Sequence, residues 1–501
     1  MHSLSPLKKN IDSLIAAAVG FSIIILYTRH GGIGLCPDGV VYTSTAANFR
    51  ESCRLFDFRQ SAMVEFPALY PLFLSAMIFL TGLQPLAIGA VLNAFLFAVI
   101  IYLAGNITQQ FSHSSRWYKA SVLSCIVLSP GLLEVYSMMW SETIFILLLL
   151  LFLVTMHRYC QSHSRKVLIA AAILAAMAAV TRYAGVTMIA AGFLVIALDT
   201  TRRWPDRARE LLIYSCISPS LLIVNLIRNA TVGGTATGMR EKSLSPLLRI
   251  LHDTGSVFYD WLPFFNHHYS RAAAMTVVVT FILLFTIVRQ FVQRKRLVTY
   301  ESIADMFALI YLMFMVTMAS VSRFETLNSR LLSPAFIPLL WSCSSWIVPV
   351  SQKIPPAKSK WVILFGILLL LVFQYGQLSA DYETWDGVKD AGIPGYTEDQ
   401  WKNSPTVRYI QNDSLPFKKG YAIFSNANDA VYFFTGRQGW FLPNKENVKG
   451  VKAFLGNSRC YVIWFDDGDN PDLIGKDFMV NTKKMKLVKQ FDDGAIYESD
   501  P

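Results

Sequence analysis

Apolar runs close to membrane length succeed one another through the first 380 residues, and that succession constrains the fold more than any other feature of the chain. A helix needs about 20 consecutive apolar residues to cross a bilayer. The chain has 501 residues, of which 53% are hydrophobic and only 16% charged, with a mean hydropathy of +0.40. A soluble domain carries about a quarter charged residues. The sequence therefore predicts a polytopic α-helical membrane protein. Its runs lie at 11–28, 84–104, 119–132, 142–157, 166–180, 184–198, 210–227, 273–291, 303–320, 331–349 and 360–378, about eleven transmembrane helices in all. Lys8 and Lys9 before Ile11–Leu26 imitate a signal peptide, but no small-x-small cleavage site follows, and the run reads as an anchor.

Charge supplies the sidedness. With the N-terminus in the cytoplasm, the inner connections become 105–118, 158–165, 199–209, 292–302 and 350–359. Each is basic, through residues such as Arg116, Arg158, Arg165, Arg202, Arg203, Arg294, Lys353 and Lys358. That is the positive-inside pattern. An odd number of spans places the C-terminal tail outside. Pro67–Leu80 is apolar but short, and counting it as a span would invert every later loop, so it reads as a helix in the outer interface. The net charge of +11 belongs to residues 1–380, which carry 30 Lys and Arg against 16 Asp and Glu; residues 381–501 carry 15 against 18. This excess speaks of topology and membrane lipids. No basic stretch interleaved with aromatics points to nucleic acid.

Composition divides the chain at about 380. Residues 1–380 form the membrane domain, with two long outer loops at 29–83 and 228–272. Residues 381–501 read as a small extracytoplasmic α/β domain. Its strands begin at Tyr421, Cys460 and Leu487, and its helices cover Asn428–Phe434 and Val448–Leu455. Asp466-Asp467-Gly468-Asp469 reads as a solvated turn, without the spacing of a calcium loop. Seven cysteines show no Cys-x-x-Cys pair. Cys36 and Cys53 share the first outer loop and are candidates for a disulfide. Asn229-Ala230-Thr231 matches a glycosylation sequon but adjoins a membrane helix. His267-His268 is a weak metal signal, because adjacent residues do not share a helix face.

The first outer loop carries the chemistry. It contains Pro37-Asp38-Gly39-Val40-Val41-Tyr42 and, further on, Val64-Glu65-Phe66-Pro67-Ala68-Leu69-Tyr70-Pro71. This pair of motifs resembles the GT-C superfamily of membrane glycosyltransferases. Within it, the likeness is to the branch of the protein O-mannosyltransferases and of the transferase that adds aminoarabinose to lipid A. The layout of residues 1–380 agrees. The chain departs from the pattern at Gly39, where many relatives have a second carboxylate. It departs again at Phe66-Pro67-Ala68, where they have Lys-Pro-Pro.

The resemblance implies a polyprenyl-phosphate sugar as donor and a lipid, glycan or protein of the envelope as acceptor, in a bacterial inner membrane. Such a transfer needs a base for the acceptor hydroxyl and cations for the departing phosphate. Asp38 is the candidate base; it also fits the cap of a helix beginning near Gly39. Glu65 either orients a substrate or Asp38, or contributes to a divalent metal site. Tyr42 belongs to the first motif and is a candidate substrate contact. Arg182, Arg323 and Arg330 are candidate phosphate ligands, with interfacial anchoring as the plainer role. Glu142 either lines the acceptor cavity or simply opens a helix. The sequence has no Walker A, dinucleotide fingerprint, His-Glu-x-x-His or Gly-x-Ser-x-Gly motif. A flippase for a lipid-linked sugar and a non-catalytic scaffold are the alternatives. The absence of an internal repeat argues against the first.

Overall fold

The computed structural model describes residues 10–111, 115–262, 269–294, 297–323, 325–345, 356–412, 417–466, 470 and 472–499. Lys8, Lys9, Phe264, Phe265, His267, His268 and Asp467–Asp469 lie outside them. The chain divides into two compact units. One comprises Met1–Tyr27, Val64–Phe73 and Leu86–Gly387; the other comprises Thr28–Met63, Leu74–Pro85 and Val388–Pro501.

The first unit is helical. Among the described residues six helices are long and apolar enough to cross a membrane: Pro85–Thr108, Glu142–Ser162, Trp204–Gly233, Arg271–Gln293, Tyr300–Val321 and Leu364–Ala391. A bent pair, Arg116–Val127 and Pro130–Ser137, makes a seventh when counted as one span. The chain is an integral, multi-pass membrane protein. Among the described residues, length and composition therefore leave the expected count of eleven unconfirmed, and residues 346–349 of the run expected at 331–349 lie outside them. Ile11–Tyr27 has 17 residues, Val186–Ala197 has 12 and Ser329–Ser344 has 16, with Pro334 and Pro338 inside the last. The run expected at 119–132 breaks before its end. Ser129 caps a new helix with Pro130 at its first position, and the two pieces meet at 51°. Proline lacks the N–H that would continue the ladder. Leu69–Thr81 is a helix of 13 residues, as short as the sequence implied.

Small residues let these helices approach. Ala171, Ala172, Ala175, Ala176, Ala178 and Ala179 are buried on Arg165–Thr181, which packs against Glu142–Ser162. Outward faces remain apolar, as at Phe95, Phe281 and Leu371, where lipid replaces water as solvent.

The second unit contains a five-stranded sheet in the order β2-β1-β3-β5-β4. The strands are β1 Ala422–Ser425, β2 Trp440–Phe441, β3 Cys460–Phe465, β4 Lys486–Phe491 and β5 Gly494–Ser499. β1 pairs in parallel with β2 and β3, while β5 runs antiparallel to β3 and β4. Every residue of β3 is buried, which explains its unbroken apolar sequence. The expected helices appear as Asn428–Thr435 and Val448–Gly456. The dividing line drawn from composition at 380 falls within the long helix Pro356–Ala391.

Cys36 and Cys53 are free thiols rather than a disulfide. They stand at opposite ends of the helix Pro37–Ser52, Cys36 as its N-cap and Cys53 as its C-cap. A straight helix of 16 residues is about 24 Å long, far beyond disulfide reach.

Candidate active site

Three of the residues singled out in the sequence meet in the first unit. Glu142 opens the helix Glu142–Ser162 and is fully buried. Arg182 Nη1 lies 2.5 Å from Glu142 Oε1, and Arg330 Nε lies 2.7 Å from the same oxygen. Buried charge persists when it is paired in this way.

Local structure aims each side chain. Arg182 ends the helix Arg165–Thr181 in extended backbone, with its N–H on the Ala178 carbonyl at 3.0 Å. The chain then turns so tightly that a Cβ on Gly185 would stand 2.3 Å from the Ala178 carbonyl carbon. Arg330 lies in the first turn of Ser329–Ser344, whose N-cap Asn328 accepts from Leu331 N at 3.0 Å. Pro334 cannot donate to the Arg330 carbonyl; the Ser333 hydroxyl donates to it at 2.8 Å. The Arg330 guanidinium also covers the Trp140 ring at 4.2 Å and reaches Glu325 at 3.4 Å. Ser141 makes no side-chain cap bond; its hydroxyl accepts from Arg182 at 3.2 Å and donates to Glu142 at 3.4 Å.

Arg323 stands apart from the Glu142 pair of ion bridges. It pairs with Glu241 at 3.6 Å, and its backbone N–H donates to the Glu241 carbonyl at 2.8 Å. The neighbouring bridge Lys242–Ser322 ties the same two segments together. Its placement favours a loop clasp.

Glu65 is held through its backbone. Arg240 donates to its carbonyl at 3.2 Å, and a Cβ on Gly238 would crowd its side chain at 2.9 Å. The preceding Val64 carbonyl accepts from the Tyr183 hydroxyl at 3.2 Å and from Asn229 Nδ2 at 3.4 Å. Asn229 also donates to the Ala236 carbonyl at 3.0 Å and is completely buried. It is a structural clamp, so the sequon has no accessible acceptor nitrogen.

Asp38 belongs to the second unit. The helix begins at Pro37, so Asp38 sits in its first turn and Cys36 is the cap. The capping alternative is thereby corrected. Asp38 is half-buried, and Tyr42, one turn on, is 3% exposed. Asn428–Thr435 packs against Pro37–Ser52 and brings Asp429 into electrostatic range of Asp38. The Tyr396 hydroxyl donates to Asp429 Oδ2 at 2.7 Å. Burial pushes the Asp429 carboxyl above its ordinary range, and the charge of Asp38 adds to the effect.

No protein-family model matches the sequence, and no curated protein matches it. Solved structures match by shape. ArnT from Cupriavidus metallidurans bound to undecaprenyl phosphate superposes with a TM-score of 0.58 at 12% identity, over 99% of this chain and 98% of that one. The Archaeoglobus fulgidus oligosaccharyltransferase in complex with Zn and sulfate gives 0.57 at 12% identity, over 91% of this chain and 68% of that one. The fold is that of the GT-C glycosyltransferases.

Within this GT-C fold, sequence reasoning found Glu142, Arg182 and Arg330 one by one but missed their convergence. It also missed Trp140 and Glu325 around Arg330, Tyr183 and Asn229 around Glu65, and the Tyr396–Asp429 pair. The only local signal for Asp429 was its place in the first turn of a predicted helix. Among the described residues no three His, Cys, Asp or Glu side chains gather as a metal-ligand set.

Proposed function

We propose that this protein is a membrane glycosyltransferase that moves a sugar from a polyprenyl-phosphate carrier to an acceptor hydroxyl on the non-cytoplasmic face. The convergence of Arg182 and Arg330 on Glu142 carries the reading, in a fold shared with an enzyme crystallised with undecaprenyl phosphate. Two guanidiniums fixed by one buried carboxylate form a preorganised cationic group for a leaving phosphate.

In the proposed step the acceptor oxygen attacks the anomeric carbon as the bond from that carbon to the phosphate oxygen breaks. The electron pair leaves with the phosphate, which the guanidiniums of Arg330 and Arg182 neutralise. The acceptor proton passes to the Asp38 carboxylate. Displacement from the opposite face inverts the anomeric centre. Glu65, with its backbone clamped, orients a substrate.

The test is release of polyprenyl phosphate from a panel of polyprenyl-phosphate sugars, in membranes supplied with envelope lipids and glycans. Wild-type protein should release it, and Asp38→Asn should lower the rate at least about a hundredfold. Donor consumption without free polyprenyl phosphate rules out transfer. Movement of intact donor between leaflets would instead establish a flippase.

A further inference from the structure

The second unit contains a cavity that the proposed transfer step does not use. Its volume is about 540 Å³, and it lies between the β1–β2 end of the sheet and the helix Val448–Gly456. Register decides which side chains face it. Trp440 of β2 is paired with Phe424 of β1, so the two share one face of the sheet. Phe424 meets Phe454 of the helix edge-on, with ring centroids 5.0 Å apart. Trp440 therefore stands on the helix side, where it lines the cavity and is still 44% exposed. Phe441 beside it is exposed as well. Neighbouring aromatic rings left open beside a concave surface are a feature of ligand sites.

The polar part of the lining is amide alone. Asn444, Asn447 and Asn457 line the cavity, and among the described residues no charged side chain does. Lys449 and Lys452, on the same helix, lie outside the lining. Local backbone takes up the amide oxygens. Asn447 Oδ1 accepts from Gly450 N at 3.0 Å, and Asn457 Oδ1 accepts from Arg459 N at 3.2 Å. The Nδ2 groups of these two residues remain as donors. Gly450 leaves the Asn447 amide its room, since a Cβ there would stand 3.0 Å from Nδ2.

Different ligands need different linings. An anion calls for Arg or Lys, which this cavity lacks. An acyl chain would cover the amides without pairing them, at a cost. A neutral sugar suits both parts. Its hydroxyls accept from amide N–H groups, and its C–H face lies against an aromatic ring, whose own face is electron-rich. The volume falls within the ordinary range of small-molecule sites, roughly 300–1,000 Å³.

We propose that the cavity between β2 and Val448–Gly456 binds a neutral glycan, with Trp440 as the stacking surface and Asn447 and Asn457 as donors to its hydroxyls. Binding there goes beyond the transfer reading and does not depend on it. If the bound glycan is the acceptor, that role alone rests on the transfer reading.

The test is calorimetric titration of the full-length protein, in a detergent without a sugar headgroup. The probes are neutral oligosaccharides of glucose, mannose, galactose and N-acetylglucosamine. Wild type is compared with Trp440→Ala and Asn447→Asp. Aspartate keeps the oxygen that Gly450 N uses and removes the donor. Wild type should bind at least one of these sugars saturably. Trp440→Ala should weaken that binding about fivefold or more, and Asn447→Asp about threefold or more. Melting temperatures taken alongside show that each variant is folded. If the face instead rests on lipid or pairs with a peptide, none of the sugars binds and the inference fails. Binding that both folded variants leave unchanged places the sugar elsewhere and also overturns it. Neither result bears on release of polyprenyl phosphate, so the transfer reading stands or falls separately.

Discussion

Arg330 Nε donates to Glu142 Oε1 at 2.7 Å, joining the starts of two helices 188 residues apart in sequence. Arg182 approaches the same oxygen, so one buried carboxylate bridges two guanidiniums. Removing it leaves two like charges with little water to screen them. Glu142→Gln should destabilise the membrane unit by about 3 kcal/mol and abolish transfer. Thermal unfolding of the purified protein, followed beside the release assay, measures both. An unchanged melting temperature would show that the charges are solvated.

Arg330 and lysine are not equivalent at this position. The fork of Arg330 serves Glu142 through Nε and Glu325 through Nη1 while its plane lies over Trp140. Lysine keeps the charge but cannot reproduce the fork or the stacking. Arg330→Lys should retain most of the stability and still lose transfer, and Arg330→Ala should lose about a hundredfold or more. Rates and melting curves on the same preparations separate the two effects. Full transfer by Arg330→Lys would reduce Arg330 to a point charge.

What could be read from the sequence follows from range. Apolar runs announce helices through composition alone, and β3 announced itself through Cys460–Phe465. β2 has only two residues, and β5, an interior strand, has an apolar stretch of only Ala495–Tyr497 between Gly494 and Glu498, so neither stands out. Ser129-Pro130 marked a break that an apolar average passes over. Among the candidate site residues, Arg182 stood out as a charge between apolar runs, whereas Asp38, Tyr42 and Glu65 were singled out by the resemblance of their motifs. Their partners were not, since Arg182–Glu142–Arg330 and Tyr396–Asp429 are chosen by how helices pack rather than by neighbours in the chain. The Cys36–Cys53 pairing failed for the same kind of reason. A shared loop suggested proximity, whereas an intervening helix holds its ends apart.

Cys53 is a non-glycine residue in left-handed backbone, at φ 56°, where it closes Pro37–Ser52. Its N–H donates to the Phe49 carbonyl at 2.8 Å, a bond that any residue can make. Only the Cβ is costly there. Cys53→Gly should therefore stabilise the protein by about 1 kcal/mol, with unchanged migration under non-reducing conditions. A loss of stability on this exchange, together with a non-reducing band shift in wild type, would restore the disulfide.

Asn229 closes three contacts at once, to Val64, Tyr183 and Ala236. Asn229→Ala removes these bonds in a buried setting and leaves Val64 with the Tyr183 hydroxyl alone, at a cost of about 1–3 kcal/mol. The loop after Gly233 should then open to limited proteolysis earlier than in wild type, and transfer should fall as the Glu65 segment loosens. Intact-mass measurement after expression in a glycosylating host should show no glycan on Asn229. A glycosylated Asn229 would contradict its burial.

The Asp429 carboxyl gives the second unit a pH dependence of definite sign. Burial, with the charge of Asp38, raises it above the ordinary value of 3.8. An acid raised in the folded state binds its proton more tightly there than in the unfolded chain. Its stabilising contribution is therefore complete below 3.8 and disappears as pH rises through the raised folded value. Asp399 acts in the opposite sense, because its bond to His30 lowers its carboxyl and favours the folded state above the ordinary value. Asp429→Asn removes the first contribution and leaves the second. Between neutral pH and mild acid, the melting temperature of wild type should improve relative to that of Asp429→Asn. A constant difference between the two proteins across that window would mean that Asp429 keeps the same proton affinity folded and unfolded, contrary to its burial beside Asp38.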